Sequence, residues 1–238
     1  MQNPTILRRQ RCSRIYTAVL ATMVFSSTTA WAGRPLVTED AGVLAETECE
    51  WESFLGRQTE PKVTLGATQI GCGIGSNTQV ALGTSRERDA HTGSNYTTLS
   101  GKTAFDNADY ALPRVALAYT LLGGREQTDY LNYISAEIKG VLTIPFGSWL
   151  LHANAGLLHS HQEHASRVTW AVAAERLGAI GSLDLMGEIY GDNENSPWVQ
   201  VATRWTAIPG QLYFDASYGI HTSGARSHMA TVGMKLAF

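Results

Sequence analysis

Apolar and polar side chains alternate along most of the chain from Glu46 to the end, and the last eleven residues show it most plainly. Ala230, Val232, Met234, Leu236 and Phe238 fall on one parity, and Met229, Thr231, Gly233 and Lys235 on the other. A period of two is an extended strand with one apolar and one mixed face. The first such stretch is 46–57, where Glu46, Glu48, Glu50 and Glu52 alternate with Thr47, Cys49, Trp51 and Ser53. Ten more begin near Lys62, Thr78, Tyr96, Leu112, Leu131, Trp149, Arg167, Ser182, Pro197 and Gln211. Together they predict about twelve strands, each near the ~9–11 residues that a tilted membrane strand needs. Gly- and Pro-rich turns at 73–77, 145–147, 178–181 and 208–210 are set against polar loops at 88–95, 123–130, 160–166, 191–196 and 221–227. A strand that ends the chain has an open edge unless it closes onto another part of the sheet. The predicted fold is all-β: a transmembrane, antiparallel, up-and-down β-barrel over 46–238. An even strand count puts both ends on the periplasmic side, with the short turns.

The mixed faces collect the charge: Glu46, Glu48, Glu50, Glu52, Lys102, Arg114, Glu137, Lys139, Glu175, Asp184, Glu188, Arg204, Asp215 and Lys235. His152 and Asn154 share that parity. The opposite faces are almost free of charge. From pattern alone, a soluble barrel with a charged exterior fits as well as a membrane barrel with a wet lumen. Aromatic placement favours the membrane. Phe105, Trp149, Trp205 and Phe238 fall at the proposed periplasmic rim, and Tyr119 and Tyr218 nearer the outer rim, as interfacial girdles do.

The chain ends bear on the same choice. Arg8, Arg9, Arg11 and Arg14 precede an apolar run, Ile15–Phe25, and then Ala30-Trp31-Ala32. This is the layout of a secretory signal peptide, 1–32, cut after Ala32. The run is about eleven residues, against the roughly 20 of a spanning helix. The spacing Thr231-x-Gly233-x-x-Leu236-x-Phe238 looks like the C-terminal signal of bacterial outer-membrane barrels, which implies the barrel-assembly machinery and outer-membrane lipid as partners. Removing the leader lowers Lys and Arg from 18 to 14, against 21 Asp and Glu. The exported chain is therefore acidic and has no basic stripe, which argues against nucleic acid. The expected location is the bacterial outer membrane. Residues 33–45, punctuated by Gly and Pro, read as a lead-in segment.

Export leaves Cys49 and Cys72, equidistant from the expected turn at Glu60-Pro61. A simple hairpin sets them opposite each other, within reach of a disulfide. Two cysteines without a neighbouring His do not make a metal site. His159, His161 and His164, with Glu163, cluster on and beside an outer loop, but His-x-His in a loop is weakly specific for metal. A barrel lipase needs a Ser/His/acid set on the lipid side. His152 and Asn154 point inward by the alternation, so the chain reads as a non-enzyme without cofactor or metal.

Several stretches resemble the proteins catalogued as "putative meta-pathway of phenol degradation", often called transporters. They are Arg34-Pro35-Leu36-Val37-Thr38-Glu39-Asp40-Ala41, Cys49-Glu50-Trp51-Glu52 with Cys72, His152-Ala153-Asn154-Ala155-Gly156, 169–175 and Pro197-Trp198-Val199-Gln200. Glu39 stands where that family usually has Asp. The resemblance implies an outer-membrane barrel, sometimes encoded with aromatic-degradation genes, and brings no catalytic residues. The expected function is a narrow channel or transporter for small solutes, aromatic ones by resemblance. The charged interior residues, His152 and Asn154 would set its selectivity, and Glu46–Glu52 would favour cations. One alternative is a structural or binding barrel whose lumen is plugged by its side chains and 33–45. Another is a lipid-modifying enzyme.

Overall fold

The computed structural model describes residues 34–89, 92–105, 112–125, 132–223 and 227–238. The leader 1–32 lies outside the described residues, as do the middles of the polar loops at 88–95, 123–130 and 221–227. Twelve strands follow: β1 Cys49–Gln58, β2 Val63–Gly75, β3 Thr78–Arg88, β4 Gly93–Ala104, β5 Arg114–Arg125, β6 Asn132–Phe146, β7 Trp149–Ser160, β8 Ala165–Ile180, β9 Leu183–Asp192, β10 Trp198–Ile208, β11 Leu212–His221 and β12 His228–Ala237. Each pairs antiparallel with the next, and β1 pairs with β12, so the barrel is closed. Glu52 stands opposite Lys235 across this seam. Cys49 and Phe238 exchange both backbone hydrogen bonds there, at 2.9 and 2.8 Å, so the terminal aromatic is zipped into the wall.

The exterior is apolar. Leu55, Ile70, Leu82, Ile138, Val172 and Val201 are exposed, whereas Glu52, Lys102, Glu137, Lys139 and Glu188 are buried. This reverses the soluble arrangement. Such a surface around a wall with no open edge is what hydrocarbon demands, since a closed sheet pairs the backbone groups of each strand with those of its two neighbours. Phe105, Trp149 and Phe238 are exposed at the end of the barrel where β1 begins and β12 finishes. Tyr119, expected nearer the outer rim, sits at mid-strand opposite Gly101. Its ring lies where a side chain on Gly101 would be, since a Cβ there would come 2.3 Å from the Tyr119 hydroxyl.

Two boundaries differ from the alternation. Strands run further into the turns, so that β8 reaches 16 residues and only 161–164 separate it from β7. The first strand starts later. Glu46 forms an isolated parallel bridge with Gly73, and Thr47 takes a left-handed φ of 73°. The chain turns here from the lumen into β1, so the alternation before Cys49 belongs to a bend. A Cβ on Gly73 would fall 2.0 Å from the Ala45 carbonyl oxygen, so the bend needs glycine there. Glu46 and Glu48 are consequently exposed at the periplasmic mouth, and the four-carboxylate ladder is only two deep inside the barrel. Immediately above the bend, Cys49 and Cys72 are register partners joined by a disulfide.

The seam can be tested by cross-linking. Leu55 and Val232 are outward-facing register partners. The double variant Leu55→Cys/Val232→Cys should oxidise to a covalent link between β1 and β12, visible as an altered mobility of the unfolded chain on a non-reducing gel. Leu55→Cys/Phe214→Cys, displaced by two strands, should not.

Candidate functional site: a strapped lumen

Residues 34–45 enter the barrel and run along its inner wall from β11–β12 to β2–β3. The segment has few regular partners of its own, so wall side chains take the place of a neighbouring strand. At its start, the Arg34 guanidinium donates to Asp215, at 2.6 Å from Nη2, and to the Thr231 hydroxyl at 3.1 Å. It also lies 4.0 Å over the Phe54 ring. Gly233 makes room for it, since a Cβ there would sit 2.6 Å from Arg34 Nε. The Gln200 amide then donates to the Pro35 carbonyl at 3.0 Å. Glu188 accepts from the Val37 amide, the Thr38 amide and the Thr38 hydroxyl at 2.6–2.9 Å, and from Gln200 at 2.8 Å.

Asn154 pairs with Glu39 as a strand would, accepting from its amide at 2.6 Å and donating to its carbonyl at 2.9 Å. Thr143 accepts from the Ala41 amide, and its hydroxyl meets His152 Nδ1 at 2.9 Å. Lys102 donates to the Asp40 carbonyl at 2.8 Å, and Gln79 accepts from the Leu44 amide. The strap's apolar residues also find sites. Ala41 and Val43 pack on Ala104, Ala116, Ala118 and Val141, and Leu36 on Ala173, Met186 and Ala202. Those inward alanines leave the hollow in which the strap lies.

The remaining charges pair across the wall. Lys139 bridges Glu39 and Glu137 at 3.3 Å each. Arg204 links Glu175 and Asp184, and His152 Nε2 is 3.7 Å from Glu175. Lys235 meets Glu50 at 2.6 Å and Glu52 at 3.9 Å. Arg114 is buried on the same inner face. Asp40 is the one strap carboxylate open to the interior space. Enclosure by the wall pushes its pKa up, but Lys102, His152, the Gly42 amide and Lys235 outweigh that and hold it down at about 2.

Of the interior residues expected from the alternation, all but Glu46 and Glu48 face inward, and the strap gathers many of them. Asp215, Glu188, Asn154, Lys139 and Lys102 all hold one twelve-residue segment. At the base of the loop His159 of β7 meets Ser166 of β8, and above them His161 lies against Tyr133 and His164, and Glu163 pairs with Arg167. Among the described residues no three His, Cys, Asp or Glu side chains form a metal site.

The strap lies between two interior spaces. The periplasmic one, of about 330 Å³, is lined by Glu50, Glu52, Lys102, Arg114, Glu175 and Lys235. The extracellular one, of about 170 Å³, is lined by Leu65, Leu158, Tyr190, Trp198 and Met229 above Val37 of the strap. Apart from Met229, these inward apolar residues escape a reading that equates the inner face with the charged face. Their parity gives the signal: Tyr190 is in phase with Glu188, Leu158 with Asn154, and Trp198 with Gln200.

The family described as "Uncharacterised conserved protein UCP029691" matches residues 20–238. The chain belongs to that family. No curated protein matches the sequence. Among solved structures, the KdgM porin in complex with disordered oligogalacturonate is 10% identical, with a TM-score of 0.61 over 79% of this chain and 99% of that one. The COG4313 outer membrane channel from Pseudomonas putida F1 is 9% identical, with a TM-score of 0.55 over 84% and 98%. Outer membrane phospholipase A from Escherichia coli is 8% identical, with a TM-score of 0.53 over 84% and 93%. At these identities the likeness is one of fold: a closed outer-membrane barrel.

The Arg34–Asp215 pair is buried on both sides, and removing one partner of such a pair costs about 3–5 kcal/mol. Asp215→Ala should therefore release the start of the strap, shifting its opening equilibrium by roughly two to four orders of magnitude. A thiol placed by Leu36→Cys reports this directly: its labelling by a water-soluble maleimide should accelerate in the Asp215→Ala background and stay slow in the parent.

Proposed function

We propose that this protein is an outer-membrane barrel that admits small solutes through a lumen narrowed by residues 34–45. The single observation that carries this reading is the strap with an interior space on either side of it. The narrowing accords with the strand count, because twelve strands lie between barrels filled by side chains and those with open aqueous channels. The fold shared with porins and channels supports the same reading. The resemblance of Arg34–Ala41 and the other motifs to the phenol meta-pathway family extends it to aromatic solutes. The pattern ending in Phe238 supports recognition of β12 by the barrel-assembly machinery, and the layout of 1–32 supports export.

Selectivity follows from the charges. Inside the wall the carboxylates Glu50, Glu52, Glu137, Glu175, Asp184, Glu188 and Asp215 outnumber the cations Lys102, Arg114, Lys139, Arg204 and Lys235. Glu46 and Glu48 add negative charge at the periplasmic mouth. This favours cations and neutral solutes over anions. The second reading, a binding barrel with a closed lumen, is favoured by the density of hydrogen bonds on the strap. A lipid-modifying enzyme has less support, since His152 and Asn154 are engaged in the interior with Thr143, Glu175 and Glu39 rather than facing lipid.

Planar-bilayer recording separates the first two readings. The refolded protein should show small, cation-preferring unit conductance, and deletion of residues 34–44 should raise that conductance several-fold. Silence in both proteins would support the closed barrel. Equal conductance in both, or anion preference, would remove the strap from the permeation path or overturn the selectivity argument.

A further inference from the structure

We infer that the extracellular space above the strap is a binding site for one small uncharged molecule with an apolar body and a hydroxyl or amine donor. This inference deepens the channel reading and rests on it for the route of entry, although the site is defined by its own residues. Leu65, Leu158, Tyr190, Trp198 and Met229, contributed by five different strands, converge on the space above Val37. Trp198 is held in place by His221, with ring centroids 5.2 Å apart. Charged side chains also border the space, but Arg57, Lys139 and Arg167 are matched in number by Glu87, Glu137 and Asp192, so its surface is mostly apolar and it carries no net charge to recruit an ion.

Two polar groups in the same lining are incomplete. Glu137 accepts from the Thr169 hydroxyl through Oε1 at 2.7 Å, and its buried Oε2, ion-paired with Lys139 at 3.3 Å, accepts no hydrogen bond among the described residues. Gln58 donates through Nε2 to the Glu60 carbonyl, and its buried Oε1 has no partner among the described residues. Buried acceptors of this kind are costly to leave unmet, and a site built to hydrogen-bond a ligand discriminates strongly against an analogue without the group. Both groups are acceptors with room for a further hydrogen bond, and one is a carboxylate, so the ligand brings N–H or O–H and is not an anion. The volume of about 170 Å³ is below the ~300–1,000 Å³ of drug-sized sites, so the ligand is one ring or a short chain.

Isothermal titration calorimetry of the refolded protein in detergent tests this with cyclohexanol, methylcyclohexane and cyclohexanecarboxylate as probes, each referred to protein-free micelles. Cyclohexanol should bind saturably at one site, at least tenfold more tightly than methylcyclohexane, and the carboxylate should not bind. Leu158→Trp, which fills the space, should abolish cyclohexanol binding. Glu137→Gln, which keeps an acceptor for Thr169 but turns the vacant acceptor into a donor, should weaken cyclohexanol at least tenfold and leave methylcyclohexane unchanged. Folding of each variant is checked by its heat-modifiable gel mobility. Absence of cyclohexanol binding in the parent, or equal binding in parent and Leu158→Trp, overturns the site. Neither result bears on the conductance of the strap deletion, so the channel reading stands or falls separately.

Discussion

An extended segment inside a barrel has lost water and has no sister strand. Its amides and carbonyls need partners, and an unmet buried backbone group costs as much as a lost hydrogen bond. The lumen meets this demand with side chains. Glu188 serves two successive amides, Asn154 both groups of Glu39, and Thr143, Gln79, Gln200 and Lys102 one group each. The wall's polar residues are thus a template for one particular path of chain. Removing the strap would leave Glu188 and Asp215 with fewer donors in a confined interior. Removing the acceptors would leave the strap backbone unmet. Each therefore holds the other in place.

The glycines and alanines of the wall belong to the same constraint. Gly233 clears the guanidinium of Arg34, Gly73 lets the backbone of Ala45 come close, and Ala116, Ala118 and Ala173 keep the hollow open. In the C-terminal pattern, Gly233 stands in the strand that seals the barrel and also makes room for the first strap anchor. The disulfide Cys49–Cys72 sits where the strap leaves the lumen and turns into β1, beside the bridge between Glu46 and Gly73. The strap is therefore fixed at a rigid exit and held by side-chain contacts along the rest of its length.

Alternation made the barrel legible because each strand reports its two faces independently, and the seam partners followed once closure was required. Inward charge was legible for the same reason. The path of 34–45 was not, because its order comes from contacts with residues more than a hundred positions away, such as Asp215 and Glu188. No local periodicity records those contacts. Glu46 and Glu48 misled because a bend of three residues keeps the phase of a strand while pointing its side chains elsewhere. Leu65, Leu158, Tyr190 and Trp198 were overlooked because apolar residues on the inner face look like noise when polarity is used to decide which face is inner.

Those inner apolar residues change what the lumen does along its length. On the proposed reading, a solute entering from outside would first meet Trp198, Tyr190 and Leu158, with Glu137 at the side, then the strap, then the ion-paired space around Lys235, Glu50 and Glu52. Desolvation of an apolar body is favoured in the first space and opposed in the last, whereas a charged group experiences the reverse. A molecule with both characters therefore has a favourable place on each side of the strap, and a purely apolar or purely charged one has a place on only one side. With the strap intact, two such spaces in series would discriminate by the combination of groups on the solute. Without it they would merge into one wider lumen, where water screens the wall charges and size alone limits passage.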